Sequence, residues 1–270
     1  MRGMKQETRD WLQQRRNESY QEPLRPRRSL CVQGHVIGSL DADFVQQLGG
    51  AALAAHGVQL HLSEGQWLLQ GEGTATEKLN RLAQAMRAAG LAGAWRNEQL
   101  AVCNTSDQMV ATIERGAVRP LGIATRAVHL VGLSPEGAVW VQQRASNKAT
   151  NPDMWDTLMG GMVSAQDSLP DALARETWEE AGLRIHELEQ LLHGGHVQFS
   201  RPCDEAEGRG YMLERIDWCS ATVPASLKPR NQDGEVQRFE LLTLDVLEDW
   251  LVQGRFTPEA TLILAAYMGW

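Results

Sequence analysis

The stretch GGMVSAQDSLPDALARETWEEAGL, residues 160–183, decides how this chain is interpreted. It joins a glycine pair, a polar loop, a glutamate-rich segment and a glycine stop. Ser168 and Asp171 have the spacing of an N-cap pair and Pro170 suits a first turn, so we predict a helix over residues 169–181. Glycine lets the backbone approach a metal or a phosphate closely. The stretch therefore predicts a metal-dependent site for a phosphorylated substrate.

Three glutamates of this helix, Glu176, Glu179 and Glu180, stand at i, i+3 and i+4, which places them on one face. A solvated acidic face is the ordinary explanation of such a cluster. Apolar residues on both sides of the helix predict instead that it is sandwiched, with the glutamates facing a cleft. The residues on these two sides are Leu169, Ala172 and Leu173, and Ala174, Trp178 and Ala181.

Carboxylates that are partly removed from water need positive charge nearby. Their hard oxygen atoms suit Mg²⁺ or Mn²⁺. Arg175 can reach Asp171 and Glu179 at i±4, so we expect it to hold these two side chains in place.

Composition limits the function classes. The 270 residues suffice for one large or two ordinary domains. A formal charge of −8 argues against general nucleic-acid binding, which needs a concentrated basic surface. No apolar run approaches the ~20 residues of a membrane span, and no secretory leader is visible. Four widely separated cysteines suit a reducing compartment, so we expect a cytoplasmic protein without membrane or nucleic-acid partners.

A change of pattern near residues 118–122, where Pro and Gly interrupt the chain, predicts two domains. Residues 1–118 read as a small α+β domain of unclear role, with a hairpin at residues 29–40 and a capping box at Thr74. We also predict a helix over residues 106–115 in this domain. Its histidines have no acid partner at catalytic spacing and are interpreted as structural.

Residues 119–270 form the second predicted domain, which contains the glutamate helix. Further strands are predicted over residues 124–133, 138–144, 194–199, 211–223 and 236–242, and two helices begin after Thr243 and Thr257. Its large aromatic residues are assigned to core packing rather than to ring stacking, and two histidines in strands are left structural. These residues are Tyr211, Trp155, Trp178, Trp218 and Trp250, and His129 and His196.

The stretch resembles the signature of the Nudix hydrolases, which is G, five residues, E, seven residues, then R-E-U-x-E-E-x-G-U, with U a bulky aliphatic residue. The residues that match in register are Gly161, Arg175, Glu176, Glu179, Glu180, Gly182 and Leu183. Two positions depart from it. Asp167 replaces a glutamate, and Thr177 stands at an aliphatic position, where we expect it to affect packing.

The resemblance implies an α/β fold, a Nudix α/β/α sandwich with a mixed sheet, preceded by the small α+β domain. It also implies roles for individual residues. The implied ligands of Mg²⁺ or Mn²⁺ are Gly161, Glu176, Glu179 and Glu180. The implied catalytic residues are Glu179, Glu235 and Arg175, and those that bind the diphosphate are Arg144 and Lys148. A solvated Glu235 in a D-G turn and a free surface Lys148 are the alternatives.

Segments outside the signature are similar to one Nudix subgroup, which includes the part fused to fungal thiamine pyrophosphokinase. The similar segments are residues 143–152, 155–156, 233–236 and 254–258. This resemblance implies hydrolysis of thiamine diphosphate, or of its damaged oxo and oxy analogues, to the monophosphate. Alternatives are a hydrolase of nucleoside diphosphate derivatives and a non-catalytic Nudix-fold regulator. An isopentenyl diphosphate isomerase is disfavoured, because this chain has no Cys and His in the arrangement expected ahead of the signature. A homodimer is left open.

Overall fold

The computed structural model describes residues 6–270, apart from the side chains of residues 206 and 207. This part of the chain contains the α-helices α1 (Gln6–Ser19), α2 (Ala42–Leu48), α3 (Gly50–Ala55), α4 (Ala75–Ala88), α5 (Leu169–Ala181), α6 (Glu205–Gly208), α7 (Leu244–Val252) and α8 (Pro258–Tyr267).

Strands in the first part of the chain are β1 (Arg27–Val32), β2 (His35–Asp41), β3 (Val58–Ser63), β4 (Gln66–Gly71), β5 (Gln99–Cys103) and β6 (Met109–Glu114). Those that follow are β7 (Ala124–Leu133), β8 (Val139–Arg144), β9 (Trp155–Asp156), β10 (Met159–Met162), β11 (Glu189–Cys203), β12 (Gly210–Thr222) and β13 (Val236–Leu242).

The N-terminal unit is built on a four-stranded sheet in the order β2-β1-β4-β3. The hairpin predicted at residues 29–40 is confirmed, and Gln33 and Gly34 adopt the positive φ that its tight turn requires. Thr74 and Glu77 form the predicted capping box of α4. Buried aliphatic residues from this sheet and from α2, α3 and α4 make one core.

The helix predicted over residues 106–115 is wrong, because this segment contains β6, which pairs antiparallel with β5. The Asn104 carboxamide accepts hydrogen bonds from the backbone N–H groups of Ser106 and Gln108, which closes a tight turn. After the turn, Ala111 and Ile113 are buried while Val110 and Thr112 are less so, the period-2 burial of a strand.

The C-terminal unit is built on a seven-stranded mixed sheet. Its main path is β11-β12-β7-β8-β13, with β10 paired to β7 and β9 paired to β8. Strand β7 runs parallel to β12 and antiparallel to β8 and β10. Helix α5 packs on one face of the sheet, while α1, α7 and α8 pack on the other. The predicted α/β/α sandwich with a mixed sheet is confirmed.

Helix α1 lies on the C-terminal core, although the predicted boundary assigns its residues to the first domain. Leu12 is buried in that core, and the Arg16 guanidinium donates to the Trp270 carbonyl at 3.0 Å. The boundary near residue 118 stays a prediction. The two units also contact each other through Arg27, which donates to the carbonyls of Pro120 and Arg209 at 2.7 Å each.

Within residues 6–270, no helix combines the length and the apolar character needed to span a bilayer.

Candidate active site

Helix α5 begins and ends as the sequence predicts. The Ser168 side chain accepts from the backbone N–H of Asp171, and the Asp171 carboxylate accepts from that of Ser168. Gly182 closes the helix in the left-handed region at φ 63°. Because Asp171 is engaged in this cap, the expected pair between Arg175 and Asp171 is wrong.

Arg175 is instead the cationic centre of the acidic cluster. Its Nη2 and Nε donate to the Asp167 carboxylate at 2.8 and 3.0 Å, and its Nη1 donates to Glu176 at 2.8 Å and to Glu179 at 3.1 Å. A fourth acceptor is the carbonyl of Met162, at 3.3 Å. Asp167 therefore reaches the guanidinium directly, although it is one methylene shorter than the glutamate of the signature.

Glu176 is packed against the glycine pair. A Cβ atom added at Gly161 would lie 2.1 Å from the carboxyl carbon of Glu176, so only glycine leaves room for this side chain. The side chain of Glu176 is 13% exposed. Burial raises its pKa to about 6, although Arg175 opposes this effect.

Glu180 does not share the surface of Glu176 and Glu179, which corrects the prediction of one carboxylate strip facing a cleft. It is 2% exposed, because its position on α5 turns it toward β8 and β10. There its carboxylate accepts from the backbone N–H of Gly160 at 3.0 Å and from Gln142 Nε2 at 2.7 Å. Burial raises the pKa of Glu180 to about 8.

Only one side of α5 is packed, so the predicted sandwich of this helix is wrong. Ala172, Leu173 and Ala181 are buried against the sheet, but Ala174 is exposed. Trp178 is predicted to lie on the packed side but is 42% exposed. The guanidinium of an arginine in the loop after α5 lies over its ring. That arginine, Arg184, lies 4.4 Å from the ring centroid.

Thr177 has the packing role that the sequence predicts. It is fully buried, and its hydroxyl donates to the Leu173 carbonyl at 2.6 Å. This hydrogen bond satisfies the polar group inside the core, which explains how threonine is tolerated at an aliphatic position of the signature.

The donor set fits a hard divalent cation in its chemistry. Glu180 is buried and Glu176 is largely buried, and this burial raises the pKa of both carboxylates, a cost that a bound cation would offset. Gly161 has no side chain, so Glu176 packs directly against its backbone. In the arrangement seen over residues 6–270, however, no three His, Cys, Asp or Glu side chains converge on a single point suited to a metal. Arg175 draws Glu176 and Glu179 to itself, while Glu180 faces Gln142.

Lys148 and Glu235, two of the predicted site residues, are brought together in the structure. The Lys148 ammonium forms a short ion pair with the Glu235 carboxylate, and the Ala145 N–H donates to the Glu235 carbonyl at 2.9 Å. Burial would raise the pKa of Glu235, but Lys148 outweighs it and lowers the pKa. The guanidinium groups of Arg115 and Arg96, from the N-terminal unit, lower it further.

Arg144 lies beside this pair but is directed elsewhere. Its guanidinium contacts the Asp156 carboxylate at 3.5 Å and the Thr150 carbonyl at 3.1 Å. Asp156 is 4% exposed and also accepts from the Thr257 hydroxyl at 3.2 Å. This network orders the loop that carries Lys148, and the role of Arg144 in binding substrate stays a prediction.

Gln142 and Asp156 are site residues that sequence reasoning missed. Nothing in the sequence separates Gln142 from its polar neighbours Gln143 and Arg144 in β8. Asp156 lies in the segment 155–156 that resembles the subgroup, but the resemblance implied no role for it. Of the aromatic residues predicted to pack, Trp155, Trp218 and Tyr211 are buried and Trp250 is partly buried in the C-terminal core, whereas Trp178 is exposed. His129 is buried and bonded to the Thr157 hydroxyl at 2.9 Å, as a structural histidine would be.

Comparison with known proteins identifies relatives for about two thirds of the chain. The chain is 35% identical over 178 residues to an uncharacterized Nudix hydrolase of Streptomyces coelicolor, covering 64% of this chain and 90% of that protein. It is 25% identical over 190 residues to an uncharacterized protein of Saccharomyces cerevisiae, covering 64% of this chain and 54% of the relative. The chain thus spans about half the length of the yeast protein.

The fold has a counterpart in a crystal structure, that of DR0079 from Deinococcus radiodurans. The two share 22% sequence identity with a TM-score of 0.50, over 63% of this chain and 98% of the other. A family model described as the NUDIX domain matches residues 124–260, just over half of the chain. The chain therefore belongs to the NUDIX domain family.

Proposed function

We propose that this protein is a metal-dependent hydrolase that cleaves a diphosphate linked to an organic moiety. The observation that carries the proposal is the largely buried Glu176 carboxylate, held between Gly161 and Arg175 at the start of a cluster of carboxylates. A purely structural acidic helix would leave these groups in water, whereas here Glu180 is buried and Glu176 largely buried, and both have raised pKa values.

The residues that would hold Mg²⁺ or Mn²⁺ are Glu176, Glu179 and Glu180, together with the carbonyl of Gly161. A divalent cation at this position neutralises charge on the diphosphate oxygens and lowers the pKa of an attacking water. Arg175 positions the carboxylates, since it binds Glu176 and Glu179 through the same nitrogen.

Proton transfer is assigned to Glu179. Its side chain is 42% exposed, the most accessible of the three, so a water and a substrate can reach it. Glu235 is the second candidate for this role, but its ion pair with Lys148 lowers its pKa and makes it a weaker base. We assign Lys148 to the diphosphate, because its loop follows β8, the strand whose Gln142 donates to the Glu180 carboxylate.

The finer proposal is that the substrate is thiamine diphosphate or one of its oxidised analogues. The support for it is the resemblance of residues 143–152 and 233–236 to the thiamine-related subgroup. These segments carry Lys148 and Glu235, which the structure brings into contact. The reaction would yield the monophosphate and phosphate.

A substrate screen tests both levels of the proposal. Phosphate release would be followed with Mg²⁺ for thiamine, oxothiamine and oxythiamine diphosphates and for nucleoside diphosphate derivatives. We expect the thiamine compounds to be turned over fastest. If they are inert while a nucleotide is hydrolysed rapidly, the finer proposal fails and the hydrolase proposal stands. If no diphosphate is hydrolysed with any divalent metal, the hydrolase proposal fails as well.

A further inference from the structure

A cavity of about 760 Å³ lies between the β5–β6 hairpin of the N-terminal unit and the seven-stranded sheet. Ala101 and Met109 line it from the hairpin, and the loop over residues 163–170 forms a second wall. A hydrogen bond of 2.8 Å from the N–H of Ala165 to the carbonyl of Gln99 ties the two walls together. Its volume lies within the ~300–1,000 Å³ usual for small-molecule pockets.

The cavity adjoins the carboxylate cluster. Asp167 lines it and accepts two hydrogen bonds from Arg175, whose other terminal nitrogen binds Glu176. Asp167 and Glu176 are thus separated only by one guanidinium group. Glu98, the residue before β5, is close enough to Glu176 to act on it electrostatically. A molecule whose phosphates lie at Glu176 could therefore extend into the cavity.

The lining has the chemistry of a site for a heterocyclic ring. Leu100, Val163 and Phe199 give apolar surface, and Asp107 and Arg126 give charge. Among the described residues, the Nε of Arg126 is buried without a hydrogen-bond partner, although its Nη2 reaches Asp217 at 3.3 Å. A buried donor without a partner is costly, and a ligand acceptor would satisfy it.

We propose that this cavity binds the organic moiety of the diphosphate substrate, with Arg126 donating to an acceptor on a heterocyclic ring. The N-terminal unit then takes part in substrate choice through its β5–β6 hairpin. The inference rests on the proposed function for the position of the phosphates, but it is tested by binding as well as by turnover.

The test compares a heterocyclic diphosphate with a minimal one. Calorimetry with Mg²⁺ measures binding of thiamine diphosphate, ADP and methyl diphosphate to the full chain, and phosphate release measures turnover. The variant Ala101→Trp fills the cavity, and Ala54→Trp is the matched control on an exposed alanine of α3 in the same unit. Arg126→Gln removes the guanidinium with its Nε donor, and Asp217 keeps its contacts with Arg215, so this variant retains a partner for that carboxylate.

We expect Ala101→Trp and Arg126→Gln to weaken binding of the tighter heterocyclic compound at least about tenfold while changing methyl diphosphate binding less than about twofold. Ala54→Trp should behave as the wild type does. If both cavity variants bind the heterocyclic compound as tightly as the wild type does, the inference is overturned. It is also overturned if the variants weaken the binding of methyl diphosphate as much as that of the heterocyclic compound. Absence of heterocycle binding by the wild type also overturns it. If binding depends on the cavity but no diphosphate is hydrolysed, the hydrolase proposal is overturned and the inference stands.

Discussion

Replacing Arg119 with methionine should destabilise the protein strongly, because it leaves a buried charge unpaired. Arg119 Nη2 and Glu214 Oε2 lie 2.7 Å apart, and their side chains are 11% and 6% exposed. At an effective dielectric constant of about 20, this distance gives a Coulomb attraction of about 6 kcal/mol, part of which offsets the desolvation of both ions. The Thr125 hydroxyl still donates to Glu214 at 2.9 Å in the variant. We therefore expect a loss of about 3 kcal/mol in the free energy of unfolding at pH 7, the lower end of the range for a broken buried pair.

The pH dependence separates this explanation from a simple loss of packing. Burial would raise the pKa of Glu214, but Arg119 outweighs it and lowers the pKa. The wild type therefore holds this stabilisation fully above the pKa of an unfolded glutamate, about 4.3, and loses it as pH falls through the lower folded pKa. Without Arg119, burial raises the pKa of Glu214. Protonation of this carboxylate as the pH falls then removes the unpaired buried charge and stabilises the folded variant. The deficit of Arg119→Met should shrink as the pH is lowered from 7 to about 5.

Urea denaturation at several pH values measures these free energies. Arg15→Met is the matched control, since it breaks the exposed pair of Arg15 with Glu18 and should cost only about 0.5 kcal/mol. The double variant Arg119→Met with Glu214→Leu should recover much of the loss, because it removes the unpaired charge. A cost below about 1 kcal/mol at pH 7, or a deficit that does not change with pH, would refute the reasoning.

Three further predictions concern the site and one helix. Gly161→Ala should lower turnover at least about 100-fold with the far-ultraviolet circular dichroism unchanged, because the added Cβ would lie 2.1 Å from the carboxyl carbon of Glu176 and displace that carboxylate. Turnover near the wild-type value would contradict the packed position of Glu176. Lys148→Met should raise KM for a diphosphate about tenfold, since it removes the ammonium paired with Glu235, and an unchanged KM would exclude Lys148 from substrate binding. Thr74→Ala should cost about 1 kcal/mol of unfolding free energy in urea through loss of the capping box, whereas no loss would show that α4 does not depend on its cap.

Local patterns in the sequence predicted much of this structure. The caps of α4 and α5, the hairpin at Gln33-Gly34 and the bounds of β7 follow from residue types within one or two turns of the chain. The glutamate cluster was identifiable for the same reason, since its spacing is a property of one helix.

Features that depend on distant partners were not predictable in this way. Glu180 lies on the same helical strip as Glu176, yet it is buried because Gln142 and Gly160 offer it hydrogen bonds from neighbouring strands. Trp178 is apolar and was expected to be packed, but the sheet covers only one face of α5. The helix prediction for the segment that forms β6 was wrong because the turn before this strand depends on the Asn104 side chain rather than on a glycine.

The central claim is that the carboxylates of α5 carry out metal-dependent hydrolysis, and Glu179→Gln tests it most directly. Phosphate release from the diphosphate that the wild type turns over fastest would be measured with Mg²⁺ and with excess EDTA. The control is Glu136→Gln, which changes an exposed glutamate in the turn between β7 and β8. We expect EDTA to abolish wild-type turnover, Glu179→Gln to lower it by about 100-fold or more, and Glu136→Gln to leave it unchanged. Turnover by Glu179→Gln near the wild-type rate, or full activity in EDTA, would contradict the account.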